Sequence, residues 1–222
     1  CPETLGRNPK VSTLQQLLPR ARHQVLVAAD SDVLAPPELL RTVAAALAPP
    51  EMGLVSCLYA SLPPATPGAA LEALTISADF IPGVAVAHYL EGISFALGAV
   101  MAWKRELLPR IGGLQAVADY LADDYQLGWR ISQTGHQVAV LPLVVLTGNP
   151  HQSFGGYFSH QLRWSRTYRV CRPAGYLAFG ITFAFPWALL AWLTGGAGFW
   201  LPLVVLGSRV VLALVNHHRL TG

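Results

Sequence analysis

Gln24-Val25-Leu26-Val27-Ala28-Ala29-Asp30-Ser31-Asp32 decides the reading of this chain. Its apolar run reads as a buried strand, and the run stops on two carboxylates one residue apart. In a parallel sheet, ligands settle beyond the carboxyl ends of the strands, so Asp30 and Asp32 are expected to point into a cleft. Hard oxygen ligands with positions left for phosphate oxygens suit Mg²⁺ or Mn²⁺, which makes this pair the candidate metal site and a candidate contact for a phosphorylated donor. A solvated turn accounts for the same residues, because Asp and Ser are common in turns.

Outward from that strand, strand-like and helix-like runs alternate as in an α/β domain. Pro36 to Leu47 reads as a helix started by paired prolines and ended at Pro49-Pro50, and Gly53 to Leu58 as a second strand. A Pro-rich loop from Ser61 to Gly68 leads into an apolar helix that is expected to run to about Phe80 and to break at Pro82-Gly83. Phe95 to Trp103 reads as a strand or strand pair. Leu121 to Thr134 reads as a helix closed by Gly135, followed by a strand from Gln137 to Leu141.

The 222 residues are 53% hydrophobic and only 12% charged, well away from a soluble protein, and the excess sits near the C-terminus. Tyr176 to Leu193 holds no charge, and Phe199 to Val215 holds only Arg209. At 1.5 Å per residue these segments are about 25 to 27 Å long, enough for two membrane-crossing helices. Buried core helices are the plainer alternative, but the flanks favour the membrane. Arg163, Arg166, Arg169 and Arg172 precede the first segment, His217, His218 and Arg219 follow the second, and the link Thr194 to Gly198 is uncharged. That charge bias places both ends on the cytoplasmic side. Trp192, Phe199 and Trp200 bracket the link like an interfacial aromatic belt. Arg209 is read as snorkelling toward the cytoplasmic face.

A net charge of +3, gathered beside the apolar segments, speaks for an anionic lipid surface and against nucleic acid. Three cysteines, Cys1, Cys57 and Cys171, show neither a disulfide framework nor metal-ligand spacing, as expected of a reducing compartment. The chain has no initiator Met and opens shortly before a strand, so it is expected to be a fragment. The sequence sets no oligomeric state.

Two further groups are candidates for chemistry. Asp123-Asp124 opens a predicted helix, where acidic residues are at home in the positive end of the helix dipole; one of them could instead be a general base. Neighbouring side chains on a helix point about 100° apart, so only one can face a cleft, and spacing does not choose between them. From Phe154 to Arg169, the aromatic residues Phe154, Tyr157 and Phe158 and Leu162 recur at helical spacing with Arg163, Arg166 and Arg169 alongside. This fits an amphipathic helix in the membrane interface, which needs no catalytic role. A sharper reading gives Arg163 charge-assisted bonds to a departing diphosphate and makes Trp164 an aromatic wall. Asn8 and Lys10 could approach phosphate, although as isolated residues they read as ordinary loop residues.

Taken in order, Asn8-Pro9-Lys10-Val11, Asp30-Ser31-Asp32, Gly98-Ala99-Val100-Met101 before Lys104-Arg105, Gly112-Gly113-Leu114, Ala122-Asp123-Asp124-Tyr125 and His160-Gln161-Leu162-Arg163-Trp164 resemble the ceramide glucosyltransferase family, glycosyltransferase family 21. Within it the bacterial hopanoid-associated glycosyltransferases are most similar, because His160 to Trp164 leads into Arg172-Pro173 and Gly175-Tyr176. The resemblance runs from about Asn8 to Leu220. It implies an α/β, GT-A-like (Rossmann-like nucleotide-sugar-binding) catalytic domain, truncated at its N-terminus, over residues 1–150. An interfacial helix over 151–173 and a membrane hairpin over 174–222 would follow, with the catalytic domain on the cytoplasmic face of a bacterial inner membrane. The implied activity is inverting transfer of a hexose, glucose or N-acetylglucosamine, from a UDP-sugar to the hydroxyl of ceramide or a hopanoid.

Residue by residue, the resemblance makes Asp30 and Asp32 the metal and diphosphate motif, with Mg²⁺ or Mn²⁺ as the ion. Asp124 takes the catalytic-base place and Asp123 the place of the Glu before it. Arg163 and Trp164 end the family's (Q/R)xxRW motif, whose first position here is His160. Lys10 joins the donor-binding set. An earlier Asp of the family pattern has no counterpart. Three other readings stand beside this one. A processive polysaccharide or polyprenyl-phosphate sugar synthase would need more helices. A metal-dependent phosphohydrolase shares the strand and Asp-x-Asp but has Thr or Val where this chain has Leu34, and leaves Arg163-Trp164 unused. A non-catalytic membrane-anchored domain leaves all the motifs unused.

Overall fold

The computed structural model describes residues 4–221, so Cys1 lies outside the described residues. Along the chain the elements are α1 (Pro9–Leu17), β1 (Val25–Ala29), α2 (Leu39–Leu47), β2 (Met52–Ser61), α3 (Pro67–Thr75), a π turn (Ile76–Phe80), α4 (Ile81–Glu91), β3 (Val100–Lys104), α5 (Asp123–Gln133), β4 (Gln137–Thr147), α6 (Phe154–Cys171), α7 (Pro173–Phe179), α8 (Ala184–Leu193) and α9 (Trp200–Thr221). They group into two compact units, Cys1–Tyr59 with Val86–Gly148, and Ala60–Ala85 with Asn149–Gly222.

The first unit is built on a four-stranded sheet of order β1-β3-β2-β4. The parallel pairing expected of β1 is not what forms. β3 inserts between β1 and β2 and runs antiparallel to both, with Val25 opposite Lys104 and Ala29 opposite Val100. β1 is also not buried on both faces: Leu26 and Ala28 enter the core while Val27 and Ala29 are exposed, the alternation of an edge strand. β3 takes up only the end of the segment that reads as a strand from Phe95. α2 starts three residues later than its prolines indicate and buries Leu39, Val43 and Leu47 at helical spacing. Just past the end of α5, Gly135 supplies with its φ of 85° the left-handed turn that a β-carbon disfavours. β4 continues past Leu141 to Thr147 even though it contains Pro142, and its place at the sheet edge explains why the missing amide is tolerated. Leu54 and Met101 from the sheet, Leu107 just after β3, and Leu127 and Ile131 from one face of α5 fill the core. Each such side chain contributes about 1.5–3 kcal/mol of burial.

In the second unit, the break expected at Pro82-Gly83 is absent. α3, the π turn and α4 form one helical run, Pro67–Glu91, long and apolar enough to cross a membrane. The π turn explains how Pro82 fits. Its wider register sends the Ile81 amide to the Ile76 carbonyl, so the next amide, position 82, would serve Ser77. Pro82 has none to give, and Asn216 Nδ2 of α9 fills that role at 2.8 Å from the Ser77 oxygen.

Trp200–Arg219 also meets the length and composition of a membrane span, as expected from the sequence. The other expected span does not form as one straight helix: Pro173–Thr182 and Ala184–Leu193 meet at a bend of 49°. Leu190, Leu193, Leu203, Val204, Val211 and Leu214 are exposed, an outward apolar surface suited to lipid, and Trp192, Phe199 and Trp200 are exposed beside the link. Arg209 does not snorkel. It pairs with Asp79 of the π turn, because a charge in an apolar helix is least costly when a fixed partner neutralises it.

Candidate active site

In the first unit the site starts at the head of α1. Asn8 is extended, Pro9 occupies the first helical turn, and Asn8 Oδ1 accepts the amides of Lys10 and Val11 at 2.9 and 3.3 Å. The other end of the same amide reaches α5: Nδ2 donates to the Tyr120 carbonyl at 2.8 Å and to Asp123 Oδ1 at 3.1 Å. Asn8 is therefore the tie between α1 and the acidic pair, not an ordinary loop residue. Its signal was legible as an Asn-Pro helix start; the partner on α5 was not.

Lys10, in the first turn of α1, extends its ammonium to Asp30 Oδ1 at 2.6 Å and to the Gly98 carbonyl at 3.1 Å. The antiparallel β1–β3 pairing creates this meeting point. Asp30 ends β1 with its amide bonded to the Ala99 carbonyl at 3.0 Å, which brings the start of β3 to the end of β1. Gly98 is required there by space: a β-carbon on it would lie 2.8 Å from Asp124 Oδ2.

Asp124 opens α5, with Oδ1 accepting the Tyr125 amide at 2.8 Å. The residue keeps some exposure, but its carboxyl group is enclosed. Burial, followed by the charge of Asp123, pushes it up to about 6; the Tyr125 amide and Lys10 pull the other way and only partly offset this. Asp123 is 8% exposed, and its Oδ2 has no hydrogen-bond partner among the described residues. Its carboxyl is likewise shifted upward by burial, against the opposing pull of Lys10 and the Asn8 bond. Burial alone would lower Lys10, but Asp123, Asp30 and Asp124 outweigh it and hold the ammonium above its ordinary value. One permanent cation thus organises three carboxylates, of which Asp124 is the one held ready to exchange a proton near neutrality.

Asp32 is exposed beyond β1, with Oδ2 accepting the Gly148 amide at 3.2 Å. Among the described residues no group of three or more His, Cys, Asp or Glu side chains is arranged to hold a metal. Asp30 and Asp32 still suit Mg²⁺ or Mn²⁺, since such ions commonly take one or two carboxylates and complete their shell with substrate phosphates and water. Asp30 would do so while sharing one oxygen with Lys10.

The remaining candidates lie in the second unit, on α6. Arg163 is exposed, as are Phe154, Phe158 and Leu162, whereas Tyr157 departs from that stripe and meets the Thr75 hydroxyl of α3 at 3.1 Å. His160 Nδ1 lies 2.7 Å from Glu72 Oε1. Its ring meets Trp164 edge-on at 4.9 Å, and Trp164 in turn meets Phe80 at 5.5 Å. The structure thus gathers Lys10, Asp30, Asp123 and Asp124 in one unit, and His160 and Trp164 with Glu72 and Phe80 in the other.

An α/β unit that brings a poised carboxylate at the head of α5 to the end of β1, carried on the same chain as helices apolar enough for a bilayer, fits a membrane-associated enzyme. A family model for glycosyl transferase family 21 matches residues 1–220, and the chain belongs to that family, the ceramide glucosyltransferase family. It is accordingly a glycosyltransferase that moves a sugar to a lipid.

Proposed function

We propose that the protein is an inverting transferase on a GT-A-like scaffold, moving glucose or N-acetylglucosamine from a UDP-sugar to the hydroxyl of ceramide or a hopanoid at the cytoplasmic face of a bacterial inner membrane. The observation that carries this reading is the enclosed Asp124 carboxyl, pushed up to about 6 beside Lys10 and Asp30. A base with that affinity is ionised at neutral pH and still accepts a proton readily.

Asp124 takes the proton of the lipid hydroxyl as its oxygen attacks the anomeric carbon from the face opposite UDP. The bond from that carbon to the diphosphate oxygen breaks, and the configuration inverts. Lys10 holds Asp30 and offsets negative charge in the carboxylate group, so that three acids can stand together. Asp123 is anchored by Asn8 and holds the first turn of α5 in place. Mg²⁺ or Mn²⁺, held by Asp30 and Asp32, would supply positive charge to the UDP leaving group. Arg163 meets the diphosphate with hydrogen-bond donors, and His160 and Trp164 line the donor.

UDP release by the full-length protein in vesicles, measured with UDP-glucose or UDP-N-acetylglucosamine and with or without ceramide or hopanoid, tests this reading. Lipid-dependent release of one UDP per lipid glycosylated is expected. Release that ignores the lipid, or phosphate release in its place, overturns it.

A further inference from the structure

α3 and α6 are fastened along their length. Thr66 Oγ1 donates to the Gln152 carbonyl at 2.6 Å, and a β-carbon on Gly68 would stand 2.5 Å from that same oxygen, so only glycine permits the approach. Thr75 and Tyr157 join hydroxyls about two turns further along α3. Between these contacts lies Glu72, 6% exposed and the only charged residue of α3.

A buried carboxylate in an apolar helix is costly unless donors satisfy it. Glu72 has three. Oε1 faces His160 Nδ1 at 2.7 Å, and Oε2 accepts from Gln161 Nε2 at 3.3 Å and Gln152 Nε2 at 3.4 Å. Since a carboxylate only accepts, the proton of this contact sits on His160 Nδ1, and Nε2 becomes the free polar atom of the ring. The same ring carries Trp164 on its edge, and Phe80, at the end of the π turn, supports Trp164.

We propose that Glu72 is a positioning residue for transfer: it fixes the tautomer and orientation of His160 and, through the ring, the place of Trp164. This rests on the reading that His160, Arg163 and Trp164 bind the sugar donor. A glutamate partner also gives a physical reason why histidine can stand at the first position of this motif.

A double-mutant cycle tests the proposal in full-length protein reconstituted in ceramide-containing vesicles, with UDP-glucose as donor. Glu72→Ala is expected to lower kcat/KM for UDP-glucose about tenfold, the loss of one hydrogen bond to a charged group. In a His160→Ala background the same change is expected to have less than a twofold effect. Glu72→Gln, which keeps an acceptor for Nδ1–H, is expected to recover most of the loss. Equal penalties in the two backgrounds overturn the proposal while leaving the motif's donor role intact. If His160→Ala alone leaves the UDP-glucose kinetics unchanged, His160's donor role and the proposal fall together. Should Glu72→Ala not fold, Glu72→Gln takes its place in the cycle, with a penalty of about threefold confined to the His160 background expected and equal penalties again overturning the proposal.

Discussion

Replacing Asp124 with Asn separates catalysis from stability in opposite directions. The folded carboxyl is held at about 6 against an ordinary 3.8, mainly by burial. A gap of about 2 units corresponds to about 3 kcal/mol. Because the folded value lies above the unfolded one, the native state binds this proton more tightly. The resulting stability is fully present below about pH 4 and is lost as pH rises through about 6. At pH 7.5 the wild-type therefore carries an ionised, enclosed carboxylate that costs up to about 3 kcal/mol, and Asp124→Asn has no such charge. Asn retains an oxygen for the Tyr125 amide. Urea unfolding of the full-length protein in detergent, followed from pH 4 to 8, is expected to show the variant more stable by about 2–3 kcal/mol at pH 7.5, with the difference vanishing near pH 4. Turnover is expected to fall 10²–10⁴-fold in the variant. In the wild-type, kcat/KM should drop tenfold per pH unit below about 6. A variant no more stable than wild-type at pH 7.5, or an acid limb near pH 4, refutes the reasoning.

Gly98→Ala places a methyl group against Asp124 Oδ2 and is expected to lower kcat at least tenfold with a smaller change in the KM for the sugar donor, read by steady-state kinetics. Asn8→Ala removes the α1 cap together with the donor to Asp123; a loss of about 2–3 kcal/mol is expected in urea unfolding at neutral pH. Asp79→Leu strands Arg209 among apolar helices and is expected to destabilise by about 3–5 kcal/mol, whereas the double change Asp79→Leu with Arg209→Leu recovers most of it in thermal melts.

The strand before Asp30, the helix closed by Gly135 and the helix carrying His160 to Trp164 were legible because each has a local cause: an apolar run, a left-handed C-cap, a helical period. Strand order was not legible, since nothing in Val100 to Lys104 states that it pairs antiparallel with β1, and this pairing is what brings Gly98 to Lys10 and Asp30. Pro82-Gly83 was misleading for a related reason. Read locally it stops a helix, but a π turn just before it and Asn216 from the far end of the chain restore the missing bond. Arg209 shows no partner in the sequence because Asp79 is distant along the chain. Spacing could not choose between Asp123 and Asp124. Tertiary surroundings separate them, with Asn8 holding Asp123 and the carboxyl of Asp124 enclosed beside Gly98. Glu72 did leave a trace, a lone acid in an apolar helix, but its meaning depends on three donors beyond Gln152 in the chain or at it.

The most direct test is the fate of a labelled hexose. Full-length protein given UDP-[¹³C]glucose or UDP-[¹³C]N-acetylglucosamine and vesicles containing ceramide or hopanoid should yield a labelled glycolipid with inverted anomeric configuration by NMR, and the Asp124→Asn protein should yield none while still binding the donor. Retained configuration in the product, or undiminished transfer by Asp124→Asn, would contradict the assignment of Asp124 as the base of an inverting lipid glycosyltransferase.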